Sequence, residues 1–432
     1  MNRAPKSSRG IIVAVVILLL IGAVMTWQRS RTPAPTEVHA TSLTAGVEAV
    51  LPASDPPAAS PKDQDDASAV WRGPKKREGV DAANIYANAF VLFDQLTDEE
   101  KAMIRKPGEE VDAEKAAQRF EKIQAIMALL RDAAKADYCD WGTSEIDFAT
   151  GLPHISKAGH LGMLALLAAA YRFSADPSGA IDDLSAGARL AHHLTDTLLG
   201  AKVAATLERS ANDLIHYRMS TLDDAATTKA LQFLASSTMD ADLTRAFRGE
   251  LSMVESSGTK LASMDLLERS RMLLAVAGGE SKSADWLDPV KEFAAGLFFS
   301  PQRIADEVAF IRGIYERAAD AMRLPEAEFQ SWWKGVQSDA KAGQPLARMA
   351  LSRIGSLQSS IQRLRAERTL LTAGADILQN GPAQLGQYRD PATGSPLQYV
   401  ATATGFELRS PYQPKGKPLA MSFARPQRTP KE

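Results

Sequence analysis

A single cysteine, Cys139, in 432 residues excludes an intrachain disulfide framework and any zinc site built from several cysteines of one chain. It leaves the redox compartment open. Aromatic residues make up only 6% of the chain while Ala, Leu and other helix formers dominate its middle, so the composition favours helix over strand. Nor is there an excess charge of one sign: 50 basic and 52 acidic residues leave a formal −2, which argues against nucleic acid as a partner. No Gly-rich phosphate loop, G-x-S-x-G elbow, H-E-x-x-H pair or cysteine pair occurs. The six histidines and their neighbours are the remaining candidates for chemistry, and no cofactor is expected.

Long apolar runs are scarce too, with one exception. IIVAVVILLLIGAVMTW, Ile11 to Trp27, is uncharged and long enough to cross about 30 Å of hydrocarbon as a helix. Arg3, Lys6 and Arg9 precede it and Arg29 and Arg31 follow, so the positive-inside bias places residues 1–10 in the cytoplasm and the rest outside. A cleaved signal peptide needs a shorter apolar core and a small-x-small site, and TWQRSRTPAP offers neither. The segment therefore reads as an uncleaved signal-anchor. Residues 28–80 carry Pro33, Pro35, Pro52, Pro56, Pro57 and Pro61 among Ala, Ser, Thr and Asp, the composition of a disordered linker. Its basic end, Arg72 to Glu78, suits a solvated chain or a contact with acidic lipid.

From Asp81 the pattern turns helical, and residues 81–380 read as one body, an irregular array of α-helical hairpins. Ile85, Ala89 and Leu92 recur at helical spacing behind Asp81, and Thr97 with Glu100 has the spacing of a capping box, opening a short helix that Pro107-Gly108 ends. Asp112 to Ala136 is amphipathic, with Ala116, Phe120, Ile123, Met127 and Leu130 on one face. Further helices are expected at 199–219, 223–236 and 240–262, then a broken segment to Ala295, then a helix opened by Ser300-Pro301. Two stripes step by fours and threes. One is Ile304, Val308, Ile311, Tyr315, Ala318 and Met322; the other is Ile354, Leu357, Ile361, Leu364, Leu371, Ala375 and Leu378, broken by Arg368. They suit a dimerising coiled coil or packing inside one chain, and the second, with a monomeric body, is the expectation.

Leu161 to Asp196 places Leu164, Leu167, Ala168 and Tyr171 on one helix, a turn at Asp176-Pro177, and Ala180 and Leu184 on the next. This unit resembles a tetratricopeptide repeat over about 34 residues, with departures at Leu164, Gly187 and His192. One period on, Lys202 stands where a small residue belongs. The resemblance implies a hairpin packed in that manner, without a tandem array or an inherited peptide groove.

Residues 381–410 change character, and DPATGSPLQYVATATGFELRS alternates on both sides of Thr404-Gly405 like a small β-hairpin. Asp390-Pro391, Thr393-Gly394, Pro396-Leu397, Tyr399 and Gly405-Phe406 resemble the C-terminal hairpin of type II secretion pseudopilins. RGIIVAVV lacks the glutamate those proteins carry in the apolar helix, and PYQPKGKPLA lacks their calcium-binding acids. The resemblance thus implies a hairpin, and neither pilus assembly nor calcium. Residues 411–432, with Lys415, Lys417, Arg425, Arg428 and Lys431, are expected to be a basic disordered tail.

Candidate chemistry concentrates in DYCDWGTSEIDFATGLPHISKAGH, Asp137 to His160. Counted from the turn at Asp176-Pro177, His160 falls level with His192 and His193, His154 lies just below, and Cys139-Asp140 can fold back beside them. A thiol, a carboxylate and imidazoles together suit Cys-His nucleophilic chemistry or a zinc or copper site, with Cys139, Asp140, His154, His160 and His193 as the candidate catalytic residues. The same residues suit a structural plug. Cys139 between two aromatics is a small apolar group, His160 lies on the stripe of Leu164, Leu167 and Tyr171, and Trp141 with Leu152 covers the open end of the hairpin. The plug is the expectation, with no metal. Asp213 and His216, like His193 and Asp196, have the spacing of half a di-metal site, but about 25 Å of helix separates His193 from His216.

YCDWG and GLPHISKAGHL ahead of an Ala-Leu-rich hairpin resemble, over Asn84 to Met219, uncharacterised membrane-anchored helical proteins of bacteria that have no assigned activity. The expectation is a non-enzymatic, membrane-tethered scaffold or interaction protein of the bacterial cell envelope. It is single-pass in the inner membrane, with an extracytoplasmic body and protein partners. The alternative is a metal-dependent or thiol enzyme centred on Cys139, His154, His160 and His193.

Overall fold

A computed structural model of the chain describes residues 78–105, 113–142, 152–236, 239–265, 268, 300–340 and 344–424. The expected membrane helix, the linker up to residue 77, the broken segment before Ser300 and the tail from residue 425 lie outside the described residues. No described helix is long and apolar enough to cross a membrane.

The described chain is mainly helical, with a small antiparallel sheet near its C-terminus. In chain order the helices are α1 (Ala82–Asp94), α2 (Asp98–Arg105), α3 (Ala113–Ala133), α4 (Pro153–Arg172), α5 (Pro177–His193), α6 (Leu198–Arg218), α7 (Asp224–Ala235), α8 (Met239–Ser263), α9 (Pro301–Ala321), α10 (Glu326–Asp339), α11 (Pro345–Leu351) and α12 (Ile354–Asn380). Their starts follow the capping chemistry. Asp81, Asp176, Thr197, Asp223 and Ser300 each accept a hydrogen bond from a backbone N–H of the helix they open. Thr97 and Glu100 form the reciprocal box, at 2.7 and 3.2 Å.

The α4–α5 hairpin turns at Asp176-Pro177, and α3, α6 and α7 pack around it. Leu161, Leu164, Leu190 and Leu194 share a core with Ile126, Met127 and Leu130 of α3 and Tyr86 of α1. The two long stripes meet each other inside the chain: Ile311, Tyr315, Ala318 and Met322 of α9 are buried in one core with Ile354, Leu357, Ile361 and Leu364 of α12. Two elements between those stripes, α10 and α11, were not anticipated. Their signal was short, with Phe329 and Val336 the buried residues of α10.

The C-terminus corrects the expectation of a hairpin followed by a disordered tail. The sheet has three strands in the order β1 (Gln398–Ala401), β2 (Gly405–Ser410) and β3 (Leu419–Ala424), all antiparallel. Leu419, Met421 and Phe423 are buried while Ala420, Ser422 and Ala424 are exposed, the alternation of a half-buried strand. Six residues, PLAMSF, carried that signal behind a basic, Pro-rich lead, whose Pro414–Gly416 turns instead as a short 3-10 helix. The sheet lies on α12, where Gly374 admits the Phe423 ring: a Cβ there would sit 2.0 Å from Phe423 Cζ.

Candidate functional site

The part of the Asp137–His160 stretch that the structure describes, Asp137–Gly142 and Leu152–His160, lies at the open end of the α4–α5 hairpin. After α3 the chain runs parallel to the residues that lead into α1, with Asp81 bridged to Tyr138. Trp141 follows. Its indole N–H donates to the His193 carbonyl at 2.7 Å, at the last turn of α5. Its ring stacks on Tyr86 of α1 (5.6 Å, 15°) and on His154 of α4 (4.9 Å, 14°), with Phe90 6.0 Å away. Tyr86 in turn shares a hydrogen bond with His193 Nδ1 at 3.0 Å.

Three of the five candidate residues, Cys139, His154 and His193, gather around Trp141 and Tyr86. His160 does not join them. It stacks on Phe93 (5.7 Å, 8°), about 9 Å farther along α4. Asp140 closes a local turn by accepting from Gly142 N–H at 2.9 Å. Trp141, Leu152 and Cys139 are partly buried against the hairpin core.

Burial sets the protonation states of this cluster. Burial, and next the Asp81 carboxylate, push the Cys139 thiol up, where a nucleophile or metal ligand needs the thiolate. Burial, and then Arg189 and Arg245, hold His193 down at about 3, so its imidazole is neutral at any physiological pH. Burial likewise lowers His154 and strongly raises Tyr86. Among the described residues no three His, Cys, Asp or Glu side chains are grouped to hold a metal ion. The arrangement fastens three segments together through one indole, one imidazole and a phenol. Trp141→Ala should remove the stack and orphan the His193 carbonyl, lowering stability by about 3 kcal/mol as read by denaturant unfolding.

His192, one residue earlier, faces the other way and builds a second polar cluster that sequence reasoning missed. Its Nδ1 lies 2.5 Å from Asp242 Oδ2 of α8 and its Nε2 3.5 Å from Glu208 Oε1 of α6. Glu208 pairs with Arg368 of α12. Four helices are thus joined by a file of buried polar side chains, Asp242, His192, Glu208 and Arg368, each no more than 8% exposed. Arg245 of α8 grips the same turn, donating to the His192 carbonyl and Thr195 Oγ1 and pairing with Asp196 at 3.0 Å. Glu250 accepts from Leu198 N–H at 3.1 Å, at the start of α6. No sequence signal marks a cluster whose pairs are 16 to 160 residues apart.

The D-x-x-H residues on α6 are also separated by their partners. His216 Nε2 donates to the Ser422 carbonyl of β3 at 2.9 Å. Asp213 lies by Arg209 and Glu367, with its buried Oδ1 lacking a hydrogen bond. Burial pushes Asp213 up to about 7. The unfolded chain ionises this carboxyl near pH 4, so its contribution to stability is fully present below that pH and is lost as pH rises to about 7. Asp213→Asn should consequently be more stable than the native chain at pH 8, by up to about 4 kcal/mol, and the two should converge near pH 4. Melting curves at the two pH values check the sign.

A groove of about 300 Å³ between α10, α11 and the start of α12, lined by Trp333, Val336, Arg348 and Leu351, lies apart from both clusters. No protein-family model matches the chain, and no curated protein or solved structure is detectably similar to it.

Proposed function

We propose that the protein is a non-enzymatic scaffold or interaction protein, held to the bacterial inner membrane by Ile11–Trp27 and presenting its helical body to protein partners outside the cytoplasm. What supports this reading is the state of the residues best placed for chemistry: Cys139 packs against the hairpin core with its thiol held protonated by burial, and His193 is engaged by Tyr86 through its ring and by Trp141 through its carbonyl. The apolar run and the Pro-rich linker ahead of the body support the tether.

Two measurements test it. Full-length protein should stay in the membrane fraction after alkaline carbonate washing, whereas a chain starting at Gln28 should not, and a reporter fused after Glu432 should be active only outside the cytoplasm. Recovery of full-length protein in the soluble fraction, or a reporter active only in the cytoplasm, would sink the topology. Separately, Cys139 should resist iodoacetamide until denaturant is added. Rapid alkylation of the folded chain at pH 7 would instead revive the thiol-enzyme alternative.

A further inference from the structure

We propose that Val80–Ala82 and Asp137–Asp140 form a force-bearing clasp through which tension on the N-terminal tether passes into the helical body. This rests on the tethered reading above. Four hydrogen bonds join the two segments. Val80 N–H donates to Asp137 Oδ2 at 2.8 Å, and Asp137 N–H donates back to the Val80 carbonyl at 3.2 Å. Ala82 N–H donates to the Tyr138 carbonyl at 2.8 Å, and Asp140 N–H to Asp81 Oδ1 at 3.1 Å. Gly79 is built for this approach: its φ is +117°, and a Cβ there would lie 2.5 Å from Asp137 Oδ2.

The position of the clasp matters as much as its bonds. Asp81 also caps α1, accepting from Ala83 N–H at 3.0 Å. Without the clasp, a pull arriving at Glu78 would act directly on that cap and unwind a 13-residue helix from its first turn. With it, the pull is handed to Asp137–Asp140, which Trp141 bolts to the His193 carbonyl. From there it reaches the α5–α6 turn that Arg245 and Glu250 hold to α8. Beyond the clasp each step is a side chain meeting a backbone group of another element, so the route leaves the local chain at once. The exposed Val80, with 54% of its surface in solvent, contributes little packing, and the attachment is by hydrogen bonds.

The test pulls on the full-length chain in an optical trap through handles at the N-terminus and at Ser174, an exposed position in the α4–α5 turn. Asp137→Ala should shift the first unfolding step to lower force, and Gly79→Ala should reproduce that shift from the other side of the clasp. Asp94→Ala removes the exposed ion pair, at 2.6 Å, between the last residue of α1 and Lys157 of α4, and should leave the first step where it is. Equal first-step forces in the native chain, Asp137→Ala and Gly79→Ala would overturn the clasp. A shift in Asp94→Ala as large as that in Asp137→Ala would overturn it too, because the force would then track general weakening of α1. If instead the chain is found free of the membrane, the tether fails while the measured forces stand.

Discussion

Replacing Arg368 with Met is expected to destabilise the folded body by about 3–5 kcal/mol, because it removes the guanidinium that pairs with the buried Glu208 side chain. Arg368 is 5% exposed and Glu208 fully buried, so water cannot take over the lost contact. His192 Nε2, 3.5 Å from the other carboxylate oxygen, is too distant to substitute for a direct guanidinium pair. Removing both partners should be milder than removing one: Glu208→Leu with Arg368→Met is expected to recover most of the loss, since no unpaired polar group is then left to be desolvated. Unfolding midpoints of the four chains in a double-mutant cycle give the coupling. A loss below about 1 kcal/mol for Arg368→Met would mean that the file is hydrated and behaves like a surface pair.

Leu357→Glu should be more damaging still. Leu357 and Leu364 sit in the core that also holds Ile311, Tyr315 and Phe329, at 0% and 2% exposure. A carboxylate there has no partner to satisfy it, and a cost above about 4 kcal/mol should leave much of the body unfolded. Far-UV dichroism of the chain from Asp81 onward measures that loss, and sedimentation of the unaltered body should give a monomer. A folded monomer produced from a dimer by Leu357→Glu with Leu364→Glu would transfer these residues to an interface between copies.

The parts of the fold that were legible in the sequence are those in which signal and consequence are neighbours in the chain. Caps at Asp81, Thr97 and Ser300, and the turn at Asp176-Pro177, act over two to four residues and were readable from spacing. The stripes of α9 and α12 were readable for the same reason, although their burial against each other needed the structure. At the candidate site, helix arithmetic from the hairpin turn brought His154 and His193 near Cys139. It failed for His160, which the same arithmetic placed beside them, because arithmetic along one helix says nothing of which neighbour a ring will meet, here Phe93 of α1. Arg368 looked like a flaw in an apolar stripe. It is a partner of a glutamate 160 residues away, and no local pattern encodes that. The third strand was lost through composition, since Lys and Pro around it outweighed three alternating apolar residues.

That strand sets the order in which the protein can be completed. Phe423 fills the notch at Gly374 and Ser422 takes the hydrogen bond from His216, so α6, α12 and β3 finish one core together. During synthesis the earlier helices emerge at roughly 5–20 residues per second, yet the face of α12 around Gly374 stays uncovered until the chain has emerged as far as Ala424. For those last moments the chain carries an exposed apolar patch and an unpaired β2 edge, the period in which it is most open to proteolysis and to pairing with another nascent copy. A premature stop anywhere before Leu419 would make that transient condition permanent.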